Sequence, residues 1–218
     1  MRFSAVIFDM DGVIIDSEPI WHEVESSFYE DHGGVYGPDI LEKLIGTNAM
    51  TAASIIKESL DLDWDEQKII DVRYKKLRQL YHEKLELIPG FEKLINQVRV
   101  SSIKCGLASG ATDWMIDLVL DRFKLHDAFQ YTLSADAVQN PKPAPDVYLA
   151  TAKKLGIPPK HCVVIEDSPN GLWSAKAAGM KCIVTPNPVL AGYSDFSSAD
   201  LIRPQLTDVT IRDIMGLL

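Results

Sequence analysis

A parallel α/β sheet core with an inserted all-helical domain is the architecture this sequence predicts, and three observations predict it. Short runs apolar on both faces recur at residues 3–8 (FSAVIF), 103–108 (IKCGLA), 161–166 (HCVVIE) and 180–185 (MKCIVT), the pattern of strands buried on both sides of a sheet. Helix-period segments at 113–125, 145–156 and 168–179 alternate with the later runs, as crossover units do. Residues 17–88 differ: WHEVESSFYEDHG, DILEKLIG, MTAASIIKESL and DEQKIIDVRYKKLRQLYHEKL are helical in period and hold no convincing strand, and Pro89 and Gly90 close the interval.

The expected organisation is therefore a Rossmann-like, doubly wound core made of residues 1–16 and 89–218, with a helical cap over 17–88. An insert leaving after the first strand returns to the same sheet edge, which places the cap over the strand ends. The tail from Asp195 reads as a loop into a short last strand, followed by a helix over TIRDIMGLL with Thr210 as N-cap.

With 218 residues the chain can bury a sizeable core without disulfides. Its 31 acidic and 22 basic residues give a net charge of -9 with no basic block, which disfavours a nucleic-acid partner. A small phosphorylated anion remains possible where a cation or local donors offset the field. The three cysteines, each in or beside an apolar run, read as free buried thiols of a reducing compartment, and no segment reaches the length of a membrane span. A cytoplasmic monomer without a membrane partner is expected.

Ligands of such sheets bind at the carboxyl ends of the strands. Asp9 and Asp11 follow the first run, Ser109 and Gly110 the second, and Glu166, Asp167 and Ser168 the third, while Lys142 sits between stiff prolines in QNPKPAPDVY. Taken singly, an Asp after a strand is more often a helix cap, Ser109 can be a plain N-cap, and a lone Lys is more often exposed and idle. Their coincidence at the strand ends of one sheet favours a single site. Several carboxylates in one crevice tolerate each other around a cation, and all-oxygen ligands favour Mg2+.

Residues i and i+2 of an extended segment point the same way. Asp9, nearer the buried strand, is assigned nucleophilic attack on phosphorus, and Asp11 protonation of the leaving oxygen and later deprotonation of water. Ser109 and the backbone N–H groups from Gly110 into the next helix would seat phosphoryl oxygens, and Lys142 would offset their charge.

FDMDGVIIDSE, ASGA, NPKPAPDVY and VIEDSPNG together resemble, in order and across nearly the whole chain, the four motifs of the haloacid dehalogenase-like (HAD) hydrolases. The insert resembles the cap of the beta-phosphoglucomutase-like branch, which includes many sugar-phosphate phosphatases. The resemblance implies Asp9 as nucleophile, Asp11 as acid/base with its carbonyl on Mg2+, and Ser109 and Lys142 as the phosphate-binding pair. It implies Asp167 as a metal carboxylate, with Glu166 either a ligand or one water away. The second Asp favours phosphoryl transfer over dehalogenation.

The expected activity is Mg2+-dependent hydrolysis of a phosphomonoester, a sugar or polyol phosphate, through an aspartyl phosphate. A sugar phosphomutase is the nearest alternative, and a catalytically inactive small-ligand-binding protein is the alternative from another class. Against a mutase, Ala49 stands three residues after Gly46, where the resembling mutases carry an Arg, and Trp21 aligns with their cap His, although His22 is adjacent. Cap candidates for substrate selection are Glu18, Trp21, His22 and Asn48, with Glu25, Lys75 and Lys76 behind them; each can equally be cap surface or cap core.

Overall fold

The computed structural model describes residues 4–44, 47–188 and 195–218. It divides into two compact units, Met1–Asp16 with Glu86–Leu218, and Ser17–Leu85.

In the first unit six strands form one sheet in the order β3-β2-β1-β4-β5-β6, every pairing parallel. The strands are β1 (Ala5–Phe8), β2 (Lys104–Ser109), β3 (Tyr131–Ser134), β4 (Cys162–Glu166), β5 (Lys181–Val184) and β6 (Leu201–Ile202). All residues of β1 are fully buried, as a strand flanked on both edges and both faces must be. Phe8 is level with Leu107 and Ile165, so the chain leaves β1, β2 and β4 at one edge of the sheet.

Helices α7 (Asp146–Leu155) and α8 (Pro169–Ala177) bury Val147, Tyr148, Ala152, Leu172 and Ala175 with Ile7, Val164 and Cys182 of the sheet. Phe8, on the opposite face by strand alternation, meets Phe91 of α5 (Phe91–Arg99) edge-on at 5.8 Å. The predicted fold class, a Rossmann-like parallel sheet flanked by helices with a helical insertion, is the one found. The three cysteines are free and buried.

Several elements differ from the sequence expectation. The strand expected at 3–8 is described only over Ala5–Phe8, and Phe3 lies outside the described residues. Ser109 is the last residue of β2 rather than the first after it, and Thr112 is the N-cap of α6 (Asp113–Phe123), so Ser109 is not a plain N-cap. Periodicity did not find β3, an edge strand whose Tyr131 and Thr132 are only half-buried, nor α5. The tail holds β6 and α9 (Ile211–Leu217), the latter opened by a capping box between Thr210 and Asp213.

Residues 86–88 were expected in the insert but belong to the first unit. Asp16 N–H donates to the Glu86 carbonyl at 3.0 Å, Ile88 N–H to that of Ile14 at 2.9 Å, and Ile15 bridges Leu87. The outgoing and returning chains thus run side by side as an antiparallel pair.

The second unit is helical throughout its described residues: α1 (Glu18–Asp31), α2 (Pro38–Leu44), α3 (Ala49–Leu60) and α4 (Glu66–Lys84). Ile45 and Gly46, which end the expected DILEKLIG helix, lie outside the described residues. Phe28, Tyr29, Ala53, Ile56, Ile69 and Ile70 form its core, with Trp64 packed against them. Asn48 and Asp65 cap α3 and α4, accepting from Thr51 N–H at 2.9 Å and Lys68 N–H at 2.7 Å.

Asp200 ties α8 to the β5–β6 end of the sheet, accepting from Lys176 at 2.6 Å, Lys181 at 2.8 Å and Cys182 N–H at 2.9 Å. Burial raises its pKa, but the hydrogen bonds from Lys176, Lys181 and Cys182 outweigh burial and hold it below the usual aspartate range. A depressed folded-state pKa contributes stability that is present above the unfolded value and lost as pH falls through the folded one. Asp200→Asn is therefore expected to melt below wild type at pH 7, with the gap closing under about pH 4, near the unfolded aspartate pKa. A pH-independent gap in thermal scans would refute the linkage.

Candidate active site

Asp9 follows β1, and its N–H donates to the Ile165 carbonyl of β4 at 3.0 Å, which carries the strand pairing one residue beyond β1. Met10 is fully buried and Asp11 half-buried. After it Gly12 turns the chain with φ +72°. A Cβ on Gly12 would stand 1.9 Å from Asp167 Oδ2, so the glycine also makes room for that carboxylate.

Lys142 reaches the same place from the loop before α7, past a cis Lys142–Pro143 peptide. Its ammonium donates to Asp9 Oδ1 at 2.5 Å, to Glu166 Oε1 at 2.7 Å and to the Ala108 carbonyl at 3.4 Å. The side chains of all three charged residues are at least nearly nine-tenths buried, so these contacts are weakly screened.

Glu166, at the end of β4, is fully buried and its oxygens are all engaged. Oε1 accepts from Lys142 and from the Tyr148 hydroxyl, the latter at 2.7 Å. Oε2 accepts from Asp167 N–H, Ser168 N–H and Ser168 Oγ at 3.0, 3.2 and 3.0 Å. A Cβ on Gly171 would lie 1.6 Å from Glu166 Oε1, so the carboxylate occupies space that only glycine leaves open on α8. Asp167 lies next along, and its Oδ2 accepts from Asn187 Nδ2 at 3.2 Å.

Oxygens of Asp9, Glu166 and Asp167 lie within 4.8 Å of one another. Burial pushes the Asp9 carboxyl up to about 7; Lys142 pulls it down, while Glu166 and Asp11 push it up. Asp167 is raised well above the usual range by burial first, then by Glu166, Asp9 and Asp11. At Glu166 burial opposes ionisation, yet Lys142 and Tyr148 overcome it and the carboxyl is held low. Asp11 stands outside the close carboxylate triplet, but its charge reaches both Asp9 and Asp167.

Ser109 is fully buried, and its Oγ accepts from Ala111 N–H at 3.0 Å, which leaves the hydroxyl proton to donate elsewhere. Gly110 beside it is exposed, with nothing within 4 Å of where a Cβ would stand.

Among the cap candidates, His22 packs against Tyr36, and the charges of Glu25 and Glu18 both reach that tyrosine. Half-buried Trp21 stacks edge-on with Tyr74 at 6.4 Å and lies 5.8 Å from the Arg73 guanidinium. Glu25 is buried in an ion pair with Arg73. His22 is exposed beside Ser26 and Tyr36, Asn48 caps α3, and Glu18 is half-buried in the first turn of α1. Lys75, with Asp71, Tyr74, Arg78, Gln79 and His82, lines a groove of about 530 Å³ along α4; Lys76 is half-buried on the same helix. Tyr148, Gly171, Asn187 and Arg73 are features that sequence reasoning missed. The glycine of EDSPNG, inside an otherwise helical segment, was the available signal for one of them.

A buried lysine is thus set against a strand-end carboxylate, with further carboxylates converging beside it. The haloacid dehalogenase-like hydrolase family matches the chain over residues 6–185, and the chain belongs to that family. Hexitol phosphatase B of Escherichia coli (strain K12) is 33% identical over 97% of this chain and 96% of its own. The phosphorylated carbohydrates phosphatase of Thermotoga maritima is 31% identical over 82% of this chain and 83% of its own. In fold, the chain matches the crystal structure of CbbY from Rhodobacter sphaeroides in complex with phosphate, with a TM-score of 0.82 at 23% identity over 95% and 96% of the two chains. The protein is thus an enzyme of the phosphatase type, acting on a small phosphorylated molecule. Among the described residues no helix is long and apolar enough to cross a membrane.

Proposed function

We propose that the protein hydrolyses the phosphomonoester of a sugar or a polyol such as a hexitol, through a phosphoryl group carried transiently on Asp9. The observation that carries this reading is the Lys142 ammonium 2.5 Å from Asp9 within a cluster of buried carboxylates. Relatives named for hexitol and carbohydrate phosphates support the substrate class.

The donor set fits Mg2+. The carboxylates are all-oxygen ligands within 4.8 Å of one another, and burial first, then their mutual repulsion, raises Asp9 and Asp167. Asp9, Asp167 and the Asp11 carbonyl would hold the ion, with Glu166, already engaged by five donors, adding charge beside it. When bound it offsets the carboxylates and polarises a phosphoryl oxygen.

The chain's own groups do the rest. Asp9 attacks phosphorus and Asp11 gives a proton to the departing alkoxide. Asp11 then takes one from the water that cleaves the acyl phosphate. Lys142, Ser109 Oγ and the N–H groups from Gly110 toward α6 neutralise and orient the phosphoryl oxygens. Glu18, Trp21, His22 and Asn48 of the second unit are the candidates for selecting the alcohol.

The test is phosphate release from hexitol, hexose, pentose and nucleoside monophosphates and from beta-glucose 1-phosphate, with Mg2+ and with EDTA. Polyol or sugar phosphates are expected to lead, and EDTA to lower release by roughly 100-fold or more. Isomerised glucose 6-phosphate with little free phosphate would make the enzyme a mutase. Ala49, the first residue of α3, offers no cation for a second phosphate; Gly46 of that comparison lies outside the described residues.

A further inference from the structure

We propose that Tyr148 is a positioning residue for phosphoryl transfer: its hydroxyl holds Glu166, and Glu166 holds the Lys142 ammonium against Asp9. The inference rests on the phosphatase reading of Asp9 and Lys142 given above.

Lys142 has three protons to donate and three acceptors in reach: Asp9 Oδ1, Glu166 Oε1 and the Ala108 carbonyl. Where the ammonium sits depends on where Glu166 Oε1 sits. The two oxygens of that carboxylate are secured differently. Oε2 is held by backbone and hydroxyl donors of Asp167 and Ser168, its immediate neighbours in sequence. Those contacts anchor one end but leave the carboxylate plane to be set by whatever binds Oε1.

Besides Lys142 itself, Tyr148 is the donor found there, at 2.7 Å, and its side chain is fully buried. Tyr148 lies in the first turn of α7, six residues beyond Lys142, and its ring also lies under the ammonium, 4.7 Å from Nζ. One side chain thus touches the lysine by its ring face and orients the lysine's acceptor by its hydroxyl. The bare backbone of Gly171 gives the carboxylate the room to take this position. Through Glu166 Oε1 the Tyr148 hydroxyl is linked to the Lys142 ammonium.

Tyr148→Phe separates the two functions, because it keeps the ring and deletes only the hydroxyl. Phosphate release should be measured with para-nitrophenyl phosphate and with the best sugar or polyol phosphate. Losing a hydrogen bond to a charged group should lower kcat about tenfold or more while KM stays within about twofold. Tyr148→Leu, which also removes the ring, should lose more. Glu166→Gln should lower kcat comparably, and because both residues act through Lys142, the Tyr148→Phe/Glu166→Gln double variant should be little worse than the poorer single variant.

Wild-type kcat in Tyr148→Phe, or full multiplication of the two losses, overturns the proposal. A parallel crystal structure of Tyr148→Phe supplies a readout independent of turnover: Nζ of Lys142 is expected to leave Asp9 Oδ1, and an unmoved lysine overturns the proposal. If wild type releases no phosphate from any substrate, the phosphatase reading fails, and the lysine's position alone then decides the role of Tyr148.

Discussion

Asp9→Asn is expected to lower turnover by on the order of 10⁴-fold or more, with KM far less affected, because the amide keeps the shape of the carboxylate but cannot attack phosphorus. Lys142 would still have Glu166 to hold it, at 2.7 Å, so the loss should be chemical rather than architectural. Steady-state kinetics, with phosphate release as the readout, checks it. Residual activity within about tenfold of wild type would remove Asp9 from the covalent step.

The same variant makes a pH prediction of definite sign. The Asp9 carboxyl is raised from its ordinary 3.8 to about 7, chiefly by burial, with Lys142 acting in the opposite direction and Glu166 and Asp11 reinforcing the rise. A raised folded-state pKa contributes stability that is complete below the unfolded value and lost as pH rises through the folded one. Chelator-treated wild type should therefore lose this contribution between about pH 4 and about 7. Asp9→Asn, which does not ionise, should not, and should melt above wild type at pH 8 in EDTA. A variant that melts lower at every pH would show that Asp9 stabilises the fold through Lys142 instead.

Arg73→Met is expected to cost the protein about 3–5 kcal/mol of stability. Arg73 of α4 and Glu25 of α1 are both 4% exposed. The guanidinium grips the carboxylate with Nε, at 3.2 and 3.1 Å from its two oxygens, and with Nη2 on Oε1. Methionine replaces much of the arginine's volume but leaves Glu25 charged, buried and without its partner, and the desolvation of that carboxylate is then uncompensated. Nη1 of Arg73 finds no acceptor among the described residues, so the pair is not ideally satisfied even in wild type.

That last feature shapes the control. A Glu25→Leu/Arg73→Met double variant should recover most of the loss, because removing both charges together costs little and sometimes stabilises. Urea titrations of the four proteins supply the cycle. A single variant within about 1 kcal/mol of wild type would mean that water or relaxation compensates Glu25.

The parts of this protein legible in the sequence are those governed by short-range regularity. β1, β2, β4 and β5 announced themselves as apolar runs because parallel strands are buried on both faces, and the acids after them fell at the sheet's carboxyl edge by the topology of crossover connections. Asp9, Lys142, Glu166 and Asp167, each at a strand end or in a proline-braced loop, were singled out this way, and the structure brings them together. The helical insert was legible from its period. β3 was not, since a short edge strand with half-buried residues carries neither the apolar run nor a clean alternation.

Tertiary structure decided everything that depends on which distant side chain arrives beside which. Glu25, a candidate on sequence alone, is met by Arg73 from 48 residues away. Gly12 and Gly171 looked like turn and helix residues, yet each is also the empty space into which a carboxylate fits. Tyr148 lies in a segment read only as helical, and its hydroxyl donates to Glu166 from 18 residues away. Local pattern reports the backbone's regular repeat and so places residues on elements. Partnerships between elements follow from packing in three dimensions, which no short stretch of chain encodes by itself.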